Sequence, residues 1–170
     1  MIREATPKDI MDILEIYNDA IVHTTAVYSY EPQTIENRKA WYEQKMNDGF
    51  PILVFELDNK VAGFATFGPF RPWPAYKYSI EHSIYVNKEY RKKGIGSSLL
   101  KEIISLAKER EYKTLIAGID ATNEKSIALH KNLGFVHSGT IEKAGFKFDR
   151  WLDLAFFQLE LNGPENPIEE

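Results

Sequence analysis

The stretch EYRKKGIGSS, Glu89–Ser98, decides how the rest of this 170-residue chain is read. It follows SIEHSIYV, a run with the alternation of a strand, and it precedes LLKEIISLAKER. In that second run Leu99, Leu100, Ile103, Ile104 and Ala107 recur at helical spacing. Gly94 and Gly96 therefore lie where a strand hands over to a helix. Glycines let a backbone approach an anion closely, and a helix N-terminus carries about half a positive charge. With Arg91, Lys92 and Lys93 as counter-charge, the loop suits a diphosphate. The same residues equally suit a plain strand-to-helix turn with a solvated basic surface. Two nucleotide loops are excluded. Gly94-Ile95-Gly96 is followed by Ser97, Ser98 and Leu99, so the third glycine of a dinucleotide fingerprint is missing, and no Gly-x-x-x-x-Gly-Lys-Ser/Thr occurs.

The bulk composition narrows the classes. A length of 170 residues predicts one domain over residues 1–161, followed by a Pro-rich acidic tail, 162–170, expected to be flexible. The net charge of −4 argues against a nucleic-acid partner, which calls for a basic face. No apolar run approaches the roughly 20 residues that span a bilayer, and the polar start MIREATPKDI is unlike a secretory signal. The expected location is the cytoplasm, with no membrane partner. Cysteine is absent, which removes disulfides and any cysteine-linked acyl intermediate. The four histidines are scattered without metal-ligand spacing, so no metal is expected.

Working outward from the loop, MIRE reads as a strand. A helix follows from Thr6 as N-cap and Pro7 at its first position, with Ile10, Ile13, Leu14, Tyr17 and Ile21 in one stripe. A second helix spans Thr34–Met46. ILVFEL and VAGFATF flank DNK as a hairpin. After the loop helix come TLIAGI as a strand and NEKSIALHKNLG as a helix capped by Asn123 and stopped by Gly134. FVHSGT and RWLDLAFFQLEL close the chain as strands. The order β-α-α-β-β-β-α-β-α-β-β predicts an α/β (α+β) fold with a mixed sheet.

That order, Arg-x-x-Gly-x-Gly after IYV, and NEKSIALHKNLGF at Asn123–Phe135 together resemble the GNAT acyltransferase superfamily. EHSIYV, GIGSSLL, LHKNLGF, AGFKFDRW and FFQLEL are similar to its phosphinothricin and methionine-sulfoximine N-acetyltransferase group. The resemblance covers nearly the whole folded chain. It implies a twisted, mostly antiparallel sheet with helices on both faces and two splayed parallel central strands. It also implies acetyl-CoA as cosubstrate, a small-molecule amine as acceptor, direct sequential transfer and a homodimer. The coenzyme is then expected on Ile84, Tyr85, Val86, Arg91, Lys92, Lys93, Gly94, Ile95, Gly96, Ser97 and Asn123.

The chemistry needs a base, because an ammonium has no lone pair to attack a thioester. Alternation in YSIEHSIYV puts Glu81 and Ser83 on one face and Ile80, His82 and Ile84 on the other. A carboxylate in an aromatic-rich central strand is costly unless partnered or used. A structural salt bridge would account for Glu81 as well; the resemblance implies a catalytic base. His82, on the apolar face, reads as a packed core histidine. His130 shares a helical stripe with Ile127 and Leu133, which alone reads as packing. The resemblance places a catalytic histidine here, where many GNAT enzymes carry a tyrosine acid.

GPFRPWPAYKY, Gly68–Tyr78, is stiffened by three prolines. Arg71 beside aromatics there suits bidentate capture of a carboxylate, with Trp73, Glu81 and Ser83 as further acceptor contacts. A solvated surface arginine is the plainer alternative. HTTAVYSYEP, His23–Pro32, has the composition of a pocket-lining loop. Two other functions stay open: the same fold acting on a peptide N-terminus, a polyamine or an aminoglycoside, and a non-catalytic acyl-CoA sensor.

Overall fold

Alternating strands and capped helices resolve in the computed structural model, which describes residues 1–169, into a mixed α/β fold. The order is β1 (Ile2–Glu4), α1 (Ile10–His23), α2 (Ile35–Asp48), β2 (Ile52–Leu57), β3 (Lys60–Pro69), β4 (Ser79–Val86), α3 (Ile95–Glu109), β5 (Thr114–Asp120), α4 (Glu124–Asn132), β6 (Val136–Lys147) and β7 (Arg150–Glu160). The strands hydrogen-bond in the order β1-β2-β3-β4-β5-β7-β6. β4 and β5 run parallel; β1–β2, β2–β3, β5–β7 and β6–β7 are antiparallel. By their contacts the residues group into two compact units interleaved in sequence.

One unit comprises Met1–Phe67 and Ser83–Leu100. Ala5, Ile13, Ile16, Ile52, Val54, Val61 and Phe64 form its core, with Tyr17, Trp41, Tyr42 and Tyr85 packed against them. The β2–β3 hairpin turns at Asp58 and Asn59, whose φ values of 52° and 60° are those of a turn that matches strand twist. The helix expected from Pro7 starts instead as a 3-10 turn, Pro7–Asp9, that runs into α1. The cause is Asp9. Its carboxylate accepts the Thr6 N–H at 2.8 Å, and Arg3 grips both of its oxygens at 2.8 and 2.9 Å. Arg3 also donates to Glu56 at 2.6 Å, so one guanidinium ties β1, β2 and the helix start together.

The other unit comprises Gly68–His82 and the chain from Lys101 onward. The parallel β4–β5 ladder is three pairs long, Ser79↔Thr114, Ile80↔Leu115 and Glu81↔Ile116, and stops there although both strands continue. On β5, Leu115, Ala117 and Ile119 are buried. Thr114, Ile116 and Gly118 take the opposite face by alternation. β6 extends to Lys147, well beyond the predicted FVHSGT, because β7 pairs with it down to Lys147↔Arg150. The connecting turn uses Phe148 and Asp149 at φ 52° and 58°, a turn without the usual Asn-Gly signal. β6 ends the strand order, and its register breaks twice, at His137/Gly139 and at Ile141/Gly145. After β7 the chain lies along the start of β5. Leu161 N–H donates to Lys113 O at 2.7 Å, and Lys77 Nζ donates to Ile168 O at 3.0 Å.

Candidate active site

Strand β4 and helix α4 each supply a histidine to one buried contact. His82 Nε2 lies 2.9 Å from His130 Nε2, with the rings stacked at 5.2 Å between centroids. Both are nearly inaccessible, at 6% and 4%. Gly134 explains how the third ring arrives. Its φ of 97°, a value only glycine takes cheaply, turns the chain back so that Phe135 N–H bonds the His130 carbonyl at 3.1 Å. The Phe135 ring then sits 5.0 Å from His130 and 5.6 Å from His82. The Leu-Gly-Phe end of the α4 segment is thus a device that closes over the histidines.

The hydrogen bonds assign the tautomers. His130 Nδ1 is 2.7 Å from the Ser126 carbonyl, which only accepts, so Nδ1 carries the proton. Nε2 of a neutral His130 is then a bare acceptor, and His82 Nε2–H donates to it. His82 Nδ1 is left buried without a partner. The Ile116 carbonyl, which would favour a proton there, lies outside hydrogen-bonding geometry. Burial pushes the His82 ring down to about 3, with the His130 ring adding to the effect. Burial also lowers His130, against the Ser126 carbonyl. Both rings are therefore neutral near pH 7. Reading His82 as a satisfied core histidine gives its burial but misses its unpartnered nitrogen and its role as donor.

Glu81 faces the other side of β4. Burial holds its carboxyl above the usual carboxylate range, and the Arg71 charge pulls it partway back. A methyl group added at Gly118 would sit 3.1 Å from Glu81 Oε2 and 3.4 Å from Leu154. The strand glycine of TLIAGI is thus the space the carboxylate occupies, a use that a glycine inside a strand often signals. Arg71 is exposed, its guanidinium 5.3 Å from the Phe70 ring. Phe70 packs edge-on against Phe156 at 6.3 Å. Phe70, Ile116, Ile141 and Phe156, with Thr114, Ser138, Thr140 and Gln158 as polar groups, line a cavity of about 400 Å³. Trp73 is 63% exposed. Asn123 caps α4, its Oδ1 accepting the Ser126 N–H at 3.2 Å. The structure thus brings Arg71, Glu81, His82 and His130 into one unit with this cavity. Phe70 and Gly118 belong with them and were not singled out by their sequence surroundings.

The basic loop lies in the other unit. Ile84, Tyr85 and Val86 form the second half of β4, and Ser83 precedes them half-buried. Tyr85 meets Tyr17 edge-on at 5.4 Å and Phe64 at 5.1 Å. Arg91, Lys92, Lys93 and Gly94 are exposed, and Ile95 is buried as the first residue of α3. Lys92 and Gly94 have φ values of 65° and 74°. The bond from Ser98 N–H to the Gly94 carbonyl, 3.0 Å, opens the helix ladder. The amides of Ile95, Gly96 and Ser97 precede that ladder at the positive end of the helix dipole. A loop with left-handed residues, free first-turn amides and three basic side chains fits a diphosphate.

The sequence pattern of the acetyltransferase (GNAT) family matches residues 10–135. The chain belongs to the GNAT acetyltransferase family. An L-methionine sulfoximine/L-methionine sulfone acetyltransferase of Pseudomonas aeruginosa is 41% identical over 95% of this chain and 94% of its own. An N-acetyltransferase of Staphylococcus aureus, known as a crystal structure, is 59% identical with a TM-score of 0.93, covering 94% of this chain and 97% of that one. A GNAT phosphinothricin acetyltransferase of Sinorhizobium meliloti, solved with acetyl-CoA, is 34% identical with a TM-score of 0.94, over 98% and 91%. This GNAT chain has no helix long and apolar enough to cross a membrane among its described residues.

Proposed function

We propose that this GNAT chain moves an acetyl group from acetyl-CoA to the α-amine of a small amino-acid-like acceptor of the methionine sulfoximine or phosphinothricin type. The observation that carries the reading is Glu81: a desolvated carboxylate with Arg71 as the positive charge acting on it. The named activities of the 41%-identical relative and of the acetyl-CoA-bound neighbour support the acceptor class. Arg91–Ser97 hold the diphosphate, and the backbone of Ile84–Val86 holds the pantetheine arm, with Asn123 a further contact. Arg71 takes the acceptor carboxylate, with Trp73 and Ser83 beside it. Once paired, Arg71 no longer restrains Glu81, which becomes the stronger base.

Transfer is direct, in a ternary complex. Glu81 accepts one proton from the ammonium. The amine forms the amide bond as the carbon–sulfur bond breaks, and N–H groups near Val86 stabilise the oxyanion. The second proton leaving nitrogen is the one that sulfur gains, and His130 is assigned its passage. Because His130 is neutral at rest, it receives that proton before delivering it. We place the enzyme in the cytoplasm as a homodimer, with the exposed apolar side chains of β6 and β7, Val136, Ile141 and Trp151, at the subunit contact. Sedimentation tests the dimer.

An acceptor panel with acetyl-CoA, followed by thiol release, tests the function. Turnover of methionine sulfoximine, methionine sulfone or phosphinothricin is the expected result. Activity confined to polyamines or aminoglycosides would overturn the assignment of Arg71. Coenzyme A binding with no turnover of any amine would point to a sensor.

A further inference from the structure

We propose that His82 is a positioning residue for His130. Its Nε2–H, donated across 2.9 Å, holds the His130 ring in one orientation and in the tautomer whose Nε2 accepts. The inference rests on the reading that His130 passes a proton during acetyl transfer.

The contact is specific in three ways. First, the far side of the His130 ring is defined. His130 Nδ1 is committed to the Ser126 carbonyl at 2.7 Å, so only Nε2 can vary. Second, burial dominates both rings: it lowers His82, with His130 adding to the effect, and it lowers His130 against the Ser126 carbonyl. Third, the enclosure is dry and aromatic, since Phe135 covers both rings. In such surroundings a hydrogen bond is electrostatically stronger than in water, and leaving a partner unmade is costly.

The arrangement has a consequence for proton passage. While His82 Nε2–H points at His130 Nε2, that nitrogen cannot take a proton without displacing it. Either the rings part, or His82 shifts its own proton to Nδ1, which the structure leaves open beside the Ile116 carbonyl. His82 thereby keeps His130 neutral between turnovers. His82 itself touches neither substrate in this reading.

The test is nitrogen-15 histidine spectroscopy on the full chain, where four histidines allow assignment. In the unmodified protein His130 is expected with Nδ1 protonated and Nε2 bare, and His82 with Nε2 protonated. This measurement stands even if a variant fails to fold. His82→Leu removes the donor and keeps the apolar volume. It should lower kcat about fivefold to tenfold at unchanged KM for acetyl-CoA, the effect of losing one buried hydrogen bond. It should also let the His130 signals average between tautomers and move the His130 limb of the pH profile upward. His82→Gln keeps an N–H near the same place and should restore kcat to within about twofold. A protonated His130 Nε2 in the unmodified protein, an unchanged His130 spectrum in His82→Leu, or equal losses in the two variants would each overturn the proposal. Full activity of His130→Ala would instead sink the reading on which it rests.

Discussion

The loop Arg91–Ser97 and the pair His82–His130 are built by opposite means. The loop is exposed from Arg91 to Gly94 and offers mainly backbone: positive-φ residues, first-turn amides and, around them, solvated cations. The pair is buried and works through side chains, where each proton is fixed by a named acceptor. The coenzyme anchoring proposed for the loop tolerates solvent, because charge and amides act at short range in any register of the side chains. Proton handling does not, because a ring free to rotate has no defined donor. The two regions therefore ought to fail differently when altered.

The largest effect is expected at Glu81, the proposed base. Glu81→Gln should reduce kcat/KM by about 10²- to 10⁴-fold. It should also abolish the acidic limb of the profile, which in the native enzyme reflects a carboxyl held above its usual range. Calorimetric binding of coenzyme A should be unchanged; weakened binding would mean that anchoring and chemistry are not separable. Gly118→Ala tests the same carboxylate from behind. A methyl 3.1 Å from Oε2 pushes it aside by a few tenths of an ångström, a smaller misplacement than the full ångström that costs about a hundredfold, so a fall in kcat of up to about tenfold is expected. Arg91→Ala should act on the loop alone, raising the KM for acetyl-CoA about tenfold with little change in kcat, and less at high salt. A fall in kcat as large as the rise in KM would break the contrast. The smallest effect concerns stability. Both histidines titrate below the ordinary value of 6.5 in the folded chain, so the unfolded chain binds protons first on acidification. Their contribution is complete above about pH 6.5 and is lost as pH falls toward the folded values. Urea midpoints between pH 7 and pH 5 should therefore fall, and fall less in a variant with leucine at both positions.

The loop and the element order were legible because they rest on local signals: glycines, caps and periodicity, each confined to a few neighbouring residues. Glu81 was legible too, as an anomalous carboxylate in an apolar strand. What the sequence hid depends on chain segments meeting from far apart. His82 and His130 are 48 positions apart, and nothing near His82 distinguishes a packed histidine from a donor. Gly118 looks like any strand glycine until Glu81 is seen against it. The extension of β6 was missed because its turn is made by Phe148-Asp149, residues that carry no turn signal, and β7 supplies the reason for pairing. The 3-10 start before α1 likewise needs Arg3 on Asp9.

β6 has a further meaning as a boundary. It is a twelve-residue terminal strand with Val136, Ile141 and Phe146 exposed, and a straight ladder of that length would template any passing extended chain. The two register breaks, with Lys143 at φ 53° inside the second, interrupt the row of free amides and carbonyls. A strand so broken is poorly suited to continue the sheet of another copy. The irregular edge acts as a safeguard against fibre-like growth, and straightening it by deleting the extra residues between Ile141 and Gly145 would trade that safeguard for a stickier surface.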